Sequence, residues 1–518
     1  MRLCIPLRSL SVATLILGIG PVCIGQSPER ISRIAQHYAA KDGFSGMITF
    51  ATAGKVIFRA GYGLADRAQK HRFDEHTRFN TGSISKQFTA AAILLLQEDG
   101  KLKTSDRVLQ LLPEDNLPQA WSEITVRELL SHTSGLKDYA GVAPQEMQRE
   151  HSPAELLAFV KDAPLAFKPG EGYGYSNTNY LLLGKIVQKA AGMSYCQFLH
   201  KRIFDPLGMR DTQCLEEAGA AERHATGYEP VDPGEGKPSG TDPPTAVMAN
   251  SFFFGGGNLL STGNDLVRWT TALHHGHVLS TASYTEMTTP VRDGYAYGLL
   301  IGSLRGHMRL DHFGSVPGFY SELEYFPGTD NIVVILSNQN ALLKGQFTPG
   351  THEIDSELMT LAAEPSASVP SEGKEILTSP RVLRLFTGKY ISDDGKQAPF
   401  TISLHGDHLE ILEEGPGHST LELHGDYGEL DFYFSDGEAA LEFGEQNGAV
   451  IFDLRSDRPV EWSKLKSHLI GAHILGQVEV TRVGKQLESS SSTDLVSAES
   501  ASTYSNIQQA VAKAMGQR

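Results

Sequence analysis

In the first two thirds of the chain, the pattern of apolar residues predicts both helices and strands. The stretch after Gly82 carries them at helical spacing, and Gly100 lies where a helix C-terminal cap is expected. Residues 331–336 (NIVVIL) form a continuous apolar run bounded by turn residues, which predicts a buried strand. Residues 45–50 and 55–59 predict a hairpin, because two β-type runs flank a turn that contains glycine. Helices and strands mixed in this way favour an α+β domain over a strict βαβ alternation.

The pattern changes beyond residue 363. The segment AEPSASVPSEG at 363–373 is rich in Pro and Ser and has no periodicity, which indicates a linker. From 385 to 465, short alternating segments are separated by turns such as Gly-Pro-Gly and Asn-Gly, and they predict an antiparallel sandwich or small barrel. A Ser-rich stretch at 488–503 is followed by apolar residues at helical spacing in 507–515, which predict a short amphipathic helix.

The N-terminus has the pattern of a secretory signal peptide. Arg2 and Arg8 precede an apolar run at 10–19 (LSVATLILGI), and small residues follow. The run is too short to span a bilayer, and no later segment approaches the roughly 20 apolar residues of a membrane helix. We therefore expect an exported, periplasmic or secreted protein without a stable membrane anchor. A lipoprotein anchor on Cys23 is the alternative, and Val22 before it argues against that.

The length of the chain and its residue pattern together predict how it is divided into domains. A chain of 518 residues is too long for one typical domain, so two folded units are expected. We predict five segments: a signal peptide at 1–25, an α+β domain at 27–363, a linker at 364–378, a β-barrel domain at 379–484, and a Ser-rich tail with a short helix at 485–518.

Charge and cysteine content exclude some classes of function. The formal charge is −16, and it becomes −18 without the leader and its two arginines. No basic stripe is available to neutralise phosphates, so we expect no nucleic-acid partner. Cys196 and Cys214 are the cysteines outside the leader region. A disulfide between them is possible, but Cys196 lies in a helical pattern, and we interpret it as a small buried hydrophobic residue.

Candidate chemistry begins with Ser83-Ile84-Ser85-Lys86. A hydroxyl and an amine three residues apart on a helix project from one face and can approach hydrogen-bonding distance. Serine is a poor nucleophile until a base takes its proton, and a lysine can act as that base only if its pKa is lowered. The pattern Ser-x-x-Lys is common, so its context must support the assignment.

Two further motifs supply that context. Tyr175 and Asn177 follow a Gly-rich loop and precede a predicted helix, so a phenol and a carboxamide can be presented together. His312 and Gly314 lie in a predicted strand, where glycine permits a close backbone approach. Asp311 beside His312 is either a solvated charge or a group that tunes the imidazole.

With these motifs the chain resembles the serine β-lactamase and penicillin-binding-protein superfamily, in the branch of class C β-lactamases, family VIII carboxylesterases and D-aminopeptidases. The resemblance covers residues 30–360 and includes the strings LLSHTSGL at 129–136 and GGGNLLST at 255–262. It implies a catalytic domain with an antiparallel sheet flanked by helices. A weaker resemblance, resting on FTGKY at 386–390 and the strand pattern, relates the second domain to lipocalin-like appendages.

The resemblance also implies roles for individual residues. Ser83 would form the acyl-enzyme, and Lys86 and Tyr175 would move its proton as a coupled pair, with the first base left open. Asn177 would orient Lys86 and a substrate amide. The backbone N–H groups of Ser83 and Ser315 would form the oxyanion hole. His132, within the LLSHTSGL string, is interpreted as part of a structural turn rather than as a catalytic base.

One position departs from the family pattern. Classical β-lactamases and cell-wall carboxypeptidases carry Lys-Thr-Gly where this chain has His312, and the lysine meets the substrate carboxylate. Histidine is mostly neutral near pH 7 and is a weaker anchor, so efficient β-lactam hydrolysis is not expected. Members with His-x-Gly are commonly esterases or peptidases.

We therefore expect a serine hydrolase for small ester, amide or peptide substrates, either an esterase or a D-amino-acid-directed peptidase, with neither cofactor nor metal ion. The alternatives are a D-Ala-D-Ala carboxypeptidase or penicillin-binding protein, a β-lactamase, and, from another class, a non-catalytic protein that binds acyl ligands. A peptidase should place a charged side chain near Ser83 for a substrate terminus, and an esterase needs none. The sequence leaves the oligomeric state open.

Overall fold

The computed structural model describes residues 27–41, 43–217, 224–228, 244–245, 248–304, 307–340, 351–367 and 369, together with eight strands between 388 and 488. The predicted signal peptide and the predicted helix at 507–515 lie outside the described residues, as does most of the predicted linker. Their boundaries remain predictions. Within the described part of the chain, no helix is both long enough and apolar enough to cross a membrane.

Six strands form the central antiparallel sheet. Its order is β2-β1-β9-β8-β7-β6, so the first hairpin pairs with the last strand of the domain. The strands of the sheet are β1 Gly46–Thr52, β2 Lys55–Tyr62, β6 Leu300–Leu304, β7 His307–Val316, β8 Phe319–Phe326 and β9 Asn331–Ser337, and a small separate sheet contains β3 Phe79–Asn80, β4 Gln213–Cys214 and β5 Leu259–Ser261. The predicted hairpin and the predicted buried strand are both present as β1–β2 and β9.

Helices cover both faces of the sheet. They are α1 Pro28–Lys41, α2 Ser85–Glu98, α3 Val108–Leu111, α4 Val126–Leu130, α5 Tyr139–Val142, α6 Pro153–Ala158, α7 Asn177–Ala191, α8 Tyr195–Leu199, α9 Asp205–Leu207, α10 Gly263–His274, α11 Thr281–Thr288 and α12 Thr351–Ala363. Strand alternation separates the two cores. Val334 of β9 packs into the core that contains α2 and α7, whereas Val333 packs into the core that contains α1 and α12.

Helix α2 is the central element of the larger core. Its residues from Ser85 to Leu96 are all buried, including the polar Lys86 and Gln87. A helix that is apolar on nearly every side must be surrounded by other elements, and α7 and the sheet surround this one. Lys86 is therefore placed in the interior of the domain by the burial of its helix.

One expectation from the sequence is wrong. Cys196 of α8 and Cys214 of β4 form a disulfide, with 6.1 Å between their Cα atoms. Cys196 lies in the first turn of α8, and Cys214 ends β4, 18 residues later in the chain. Cys196 is buried as predicted, but the isolated pair gave no spacing pattern that indicated pairing.

The C-terminal strands close into a barrel of eight antiparallel neighbours. They are β10 Gly388–Ile391, β11 Phe400–His405, β12 His408–Glu413, β13 Thr420–His424, β14 Asp431–Phe434, β15 Ala440–Gln446, β16 Ala449–Arg455 and β17 Thr481–Glu488. Strand β17 pairs with both β16 and β10 and so closes the ring. The predicted fold class, an α+β domain followed by a small antiparallel barrel, is confirmed.

Candidate active site

Ser83 lies where β3 passes into α2, on the 3-10 turn Gly82–Ile84. Gly82 has a φ of 49°, and a Cβ atom at this position would lie 3.0 Å from the backbone nitrogen of Ser315. Glycine therefore allows the turn to approach strand β7 closely. The first N–H groups of a helix lack intrahelical acceptors, so this turn can offer backbone donors to a ligand.

Lys86 is fully buried and follows Ser83 by one turn. Its Nζ atom lies 3.0 Å from Ser83 Oγ, 2.9 Å from Asn177 Oδ1 and 2.8 Å from the carbonyl oxygen of Gly256. Burial lowers the pKa of Lys86 to about 7, and the nearby charge of Asp138 partly opposes this shift. A substantial fraction of Lys86 is thus neutral near pH 7.

Tyr175 approaches Ser83 from the other side. Its hydroxyl donates to Ser83 Oγ at 2.8 Å. Burial raises the pKa of Tyr175 far above its ordinary value, and the hydrogen bond to Ser83 only partly offsets this effect. The resting form of Tyr175 is therefore the protonated phenol and not the phenolate.

Asn177 begins α7 and is held by Asp138. The Asn177 backbone N–H donates to Asp138 Oδ1 at 3.1 Å, and its Nδ2 donates to Asp138 Oδ2 at 3.1 Å. Because a carboxylate accepts only, it fixes the side-chain amide with Oδ1 turned toward Lys86. Asp138 also accepts from the backbone N–H of Ala140 and so caps the short helix α5.

His312 lies on β7 with both ring nitrogens engaged. Its Nδ1 lies 2.6 Å from the Phe313 carbonyl oxygen, and its Nε2 lies 3.0 Å from the Tyr295 hydroxyl. A carbonyl can only accept, so Nδ1 carries the proton and Nε2 accepts from Tyr295. Burial lowers the pKa of His312 to about 3, and the charge of Lys86 adds to this effect. The imidazole is therefore neutral, as the sequence indicated.

Gly314 brings β7 against the serine turn. A Cβ atom at Gly314 would lie 2.1 Å from the Thr81 carbonyl oxygen and 2.9 Å from the Ser83 nitrogen, so only glycine fits. The next residue is Ser315, whose hydroxyl accepts from Asn340 Nδ2 at 2.7 Å. The backbone of Ser315 is thereby held beside that of Ser83, as an oxyanion hole formed by their two N–H groups requires.

Asp311 lies on the opposite face of β7 from His312. It is buried, and its carboxylate lies 3.1 Å from Nε of the buried Arg309. The expectation that Asp311 could be a solvated charge is wrong, because successive residues of a strand face opposite sides and the second core covers this face.

His132 supports the tyrosine from behind. Its ring lies 4.3 Å from the Tyr175 ring, centroid to centroid, and its Nδ1 lies 2.9 Å from Asn179 Nδ2 and 3.2 Å from the Ser176 nitrogen. Burial lowers the pKa of His132 well below its ordinary value, so the ring is neutral. It does not contact Ser83 by any hydrogen bond among the described residues.

A cavity of about 400 Å³ opens over Ser83. Its polar lining includes Asp138, Tyr175, Asn177 and Ser315. Its apolar and aromatic walls come from Ala140, Gly141, Pro144, Met147, Tyr173, Phe253, Gly257, Tyr295, Leu300, Phe313 and Val316, and His312 also lines it. The space is suited to a small molecule with an apolar group.

The structure brings together all of the residues that the sequence motifs singled out. These are Ser83, Lys86, Tyr175, Asn177, His312, Gly314 and Ser315. Sequence reasoning did not identify Asp138 or Tyr295, which contact the motif residues from loops distant in the chain. Asp138 lies two residues after the LLSHTSGL string, and that proximity was the one available signal.

Comparison with known proteins agrees with this geometry. A family model described as beta-lactamase matches residues 31–350. Penicillin-binding protein 4* of Bacillus subtilis (strain 168) is 28% identical over 399 residues, covering 74% of this chain and 86% of its own length.

Solved structures show the same fold. The octameric penicillin-binding protein homologue from Pyrococcus abyssi covers 84% of this chain and 97% of its own, at 24% identity and a TM-score of 0.59. The D-amino acid amidase from Ochrobactrum anthropi SV3, complexed with D-phenylalanine, covers 64% of this chain and 98% of its own, at 25% identity and a TM-score of 0.57.

Proposed function

This chain belongs to the serine β-lactamase and penicillin-binding-protein superfamily, and from that premise we propose that it hydrolyses small esters or amides through an acyl-enzyme on Ser83. One observation carries the proposal. Ser83 Oγ lies within hydrogen-bonding distance of both Lys86 Nζ and the Tyr175 hydroxyl, at 3.0 and 2.8 Å, at the edge of a cavity. A nucleophile, a base and an acid are thus adjacent.

Lys86 is proposed as the base for acylation. When Lys86 is neutral, its two N–H bonds can be donated to Asn177 Oδ1 and Gly256 O, and its lone pair then points to the Ser83 hydroxyl. Tyr175 is protonated and donates to Ser83, so it cannot accept the same proton at rest. A pKa of about 7 places the amine where a general base is most effective at neutral pH.

Ser83, Lys86 and Tyr175 together supply and take up every proton in the proposed reaction. Ser83 Oγ attacks the carbonyl carbon as its proton moves to Lys86, and the N–H groups of Ser83 and Ser315 stabilise the oxyanion. The leaving group departs with a proton from Tyr175, which regains one from Lys86. Water then attacks the acyl-enzyme by the reverse sequence, releasing the acid and restoring Ser83.

The substrate is proposed to lack a carboxylate at the site where relatives place a cation. His312 is neutral and its Nε2 is already engaged by Tyr295, so it offers no charge to a substrate carboxylate. This favours an esterase or a D-amino-acid-directed peptidase over a D-Ala-D-Ala carboxypeptidase or a β-lactamase. Likeness to the D-amino acid amidase supports the amide branch.

Export is also proposed. The leader pattern predicts it, and the Cys196–Cys214 disulfide supports it independently, because disulfides persist in oxidising compartments.

Intact-mass spectrometry with turnover measurements tests the proposed function. The mature protein is incubated with p-nitrophenyl butyrate and, separately, with benzylpenicillin. We expect ester turnover and no lasting penicilloyl adduct, and we expect Ser83→Ala to lose both turnover and acylation. Ser122→Ala, which removes a hydroxyl that does not line the cavity, is the matched control and should retain activity. A persistent penicilloyl adduct on Ser83 would instead indicate a penicillin-binding carboxypeptidase.

A further inference from the structure

The cavity over Ser83 contains one acidic side chain in an otherwise neutral lining. Asp138 lines it, and no lysine or arginine does so among the described residues. His312 also lines the cavity but is neutral, since burial lowers its pKa to about 3. An esterase needs no such charge, whereas a hydrolase that selects amino-acid derivatives with a free terminus needs a group of opposite charge.

Among the described residues, no charged group donates a hydrogen bond to Asp138. Burial raises the pKa of its carboxyl, and its hydrogen bonds and the charge of Lys86 act in the opposite direction. The Asp138 oxygens accept from three neutral donors, the backbone N–H groups of Ala140 and Asn177 and the Asn177 amide. Lys86 directs its three contacts elsewhere, to Ser83, Asn177 and Gly256. A carboxylate has about four acceptor sites, so one remains for a ligand.

Asp138 also lies close to the reacting groups. The same Asn177 amide that donates to Asp138 accepts from Lys86, and Lys86 contacts Ser83. A substrate with its carbonyl at Ser83 would therefore hold substituents of the adjacent carbon near Asp138. Apolar walls lower the local dielectric and strengthen the attraction between this carboxylate and a cation.

We propose that Asp138 binds the protonated amine of the substrate, so that the preferred substrates are esters or amides of amino acids with a free amine and an apolar side chain. This inference rests on the proposed function and specifies its substrate class. The aromatic walls, including Phe253 and Phe313, provide space for the apolar side chain and faces that attract an ammonium group.

The test compares matched substrates that differ in the amine alone. Phenylalanine ethyl ester, as each enantiomer, is paired with ethyl 3-phenylpropionate, and kcat/KM is measured for wild type, Asp138→Asn and Asp138→Glu. For each protein, kcat/KM for the amine substrate is divided by kcat/KM for the neutral substrate. The wild-type ratio is then divided by the ratio of each variant. This division cancels both the intrinsic reactivity of the amino ester and any general loss of activity from a displaced Asn177.

We expect the amine preference of wild type to exceed that of Asp138→Asn by about tenfold or more, as for a charge-assisted hydrogen bond. Asp138→Glu keeps the charge and should retain part of the preference. Asp162→Asn removes an exposed carboxylate that does not line the cavity and should leave the ratio unchanged. An equal ratio in wild type and Asp138→Asn would overturn the inference while leaving Ser83-dependent ester turnover intact.

A second measurement needs no variant. Phenethylamine and 2-phenylethanol are compared as inhibitors of p-nitrophenyl butyrate hydrolysis by wild type. The amine should inhibit at a concentration about tenfold lower than the alcohol. Equal inhibition would contradict the role of Asp138. Absence of Ser83-dependent turnover with every ester would instead contradict the proposed function itself.

Discussion

Two buried cations on opposite faces of the central sheet have opposite surroundings. Lys86 contacts a hydroxyl, an amide oxygen and a backbone carbonyl, all of them neutral. Arg309 lies between carboxylates, with Nε 3.1 Å from Asp311 and Nη1 3.7 Å from Glu324. Both cations are almost completely inaccessible to solvent.

The difference shows how surroundings decide the use of a buried charge. Neutral partners do not compensate the loss of hydration, so burial lowers the pKa of Lys86 to about 7, as its proposed role as a base requires. Arg309 has acidic partners, although burial and the charge of Asp355 raise the pKa of Glu324 well above its ordinary value, and a guanidinium does not deprotonate in proteins. The first arrangement suits the proposed chemistry, and the second joins β7 to Glu324 of β8 and Met359 of α12.

We expect the largest effect from removing Lys86, the buried cation with neutral partners. Lys86→Met should reduce acylation of Ser83 by about 10²–10⁴-fold, because general-base catalysis contributes that much. The thermal transition should change little or rise, since Lys86 is costly to bury. Acylation is followed by the burst of p-nitrophenol in stopped flow. A rate within threefold of wild type would assign the base to another group.

Removing Arg309, the buried cation with acidic partners, should lower the stability of the fold and leave catalysis unchanged. Arg309→Met removes a cation that lies beside the buried Asp311 and Glu324, and it should cost about 3–5 kcal/mol of unfolding free energy. Arg149→Met breaks the ion pair of an exposed arginine with Glu146 and should cost less than about 1 kcal/mol. Urea denaturation followed by circular dichroism measures both. Equal destabilisation by the two substitutions would contradict the contrast.

A third buried cation can be introduced beside the first. His312→Lys places an amine where the imidazole now lies, facing the cavity. If the missing charge excludes β-lactams, acylation of Ser83 by benzylpenicillin should rise about tenfold, the effect of a single charge-assisted contact. His312→Gln removes the imidazole without adding charge and serves as control. An equal change in both variants would show that charge is not the determinant.

The sequence predicted the groups that local periodicity brings together. Ser83 and Lys86 share a helix face, and His312 and Gly314 share a strand face, so spacing alone placed each pair. The α+β class followed from the same patterns, whereas the antiparallel sheet flanked by helices followed from the family resemblance. Histidine at position 312 also predicted a neutral side chain there, and burial lowers the pKa of His312 further.

The groups that the sequence did not predict depend on tertiary contact. Asp138 and Tyr295 lie on loops without periodicity, and only the folded chain brings them to Asn177 and His312. The lowered pKa of Lys86 is likewise a consequence of burial on all sides of α2, which spacing does not quantify. The Cys196–Cys214 disulfide was missed for the same reason.

The central claim is that Lys86 acts as a neutral base, and the pH dependence of acylation tests it most directly. The acylation rate with p-nitrophenyl butyrate, which does not titrate, is measured from pH 5.5 to 9. Because the neutral amine forms as pH rises through its pKa, the rate should increase about tenfold per pH unit below neutrality and level off above a midpoint of about 7. A rate that is flat between pH 6 and pH 8, or that falls as pH rises, would contradict the account.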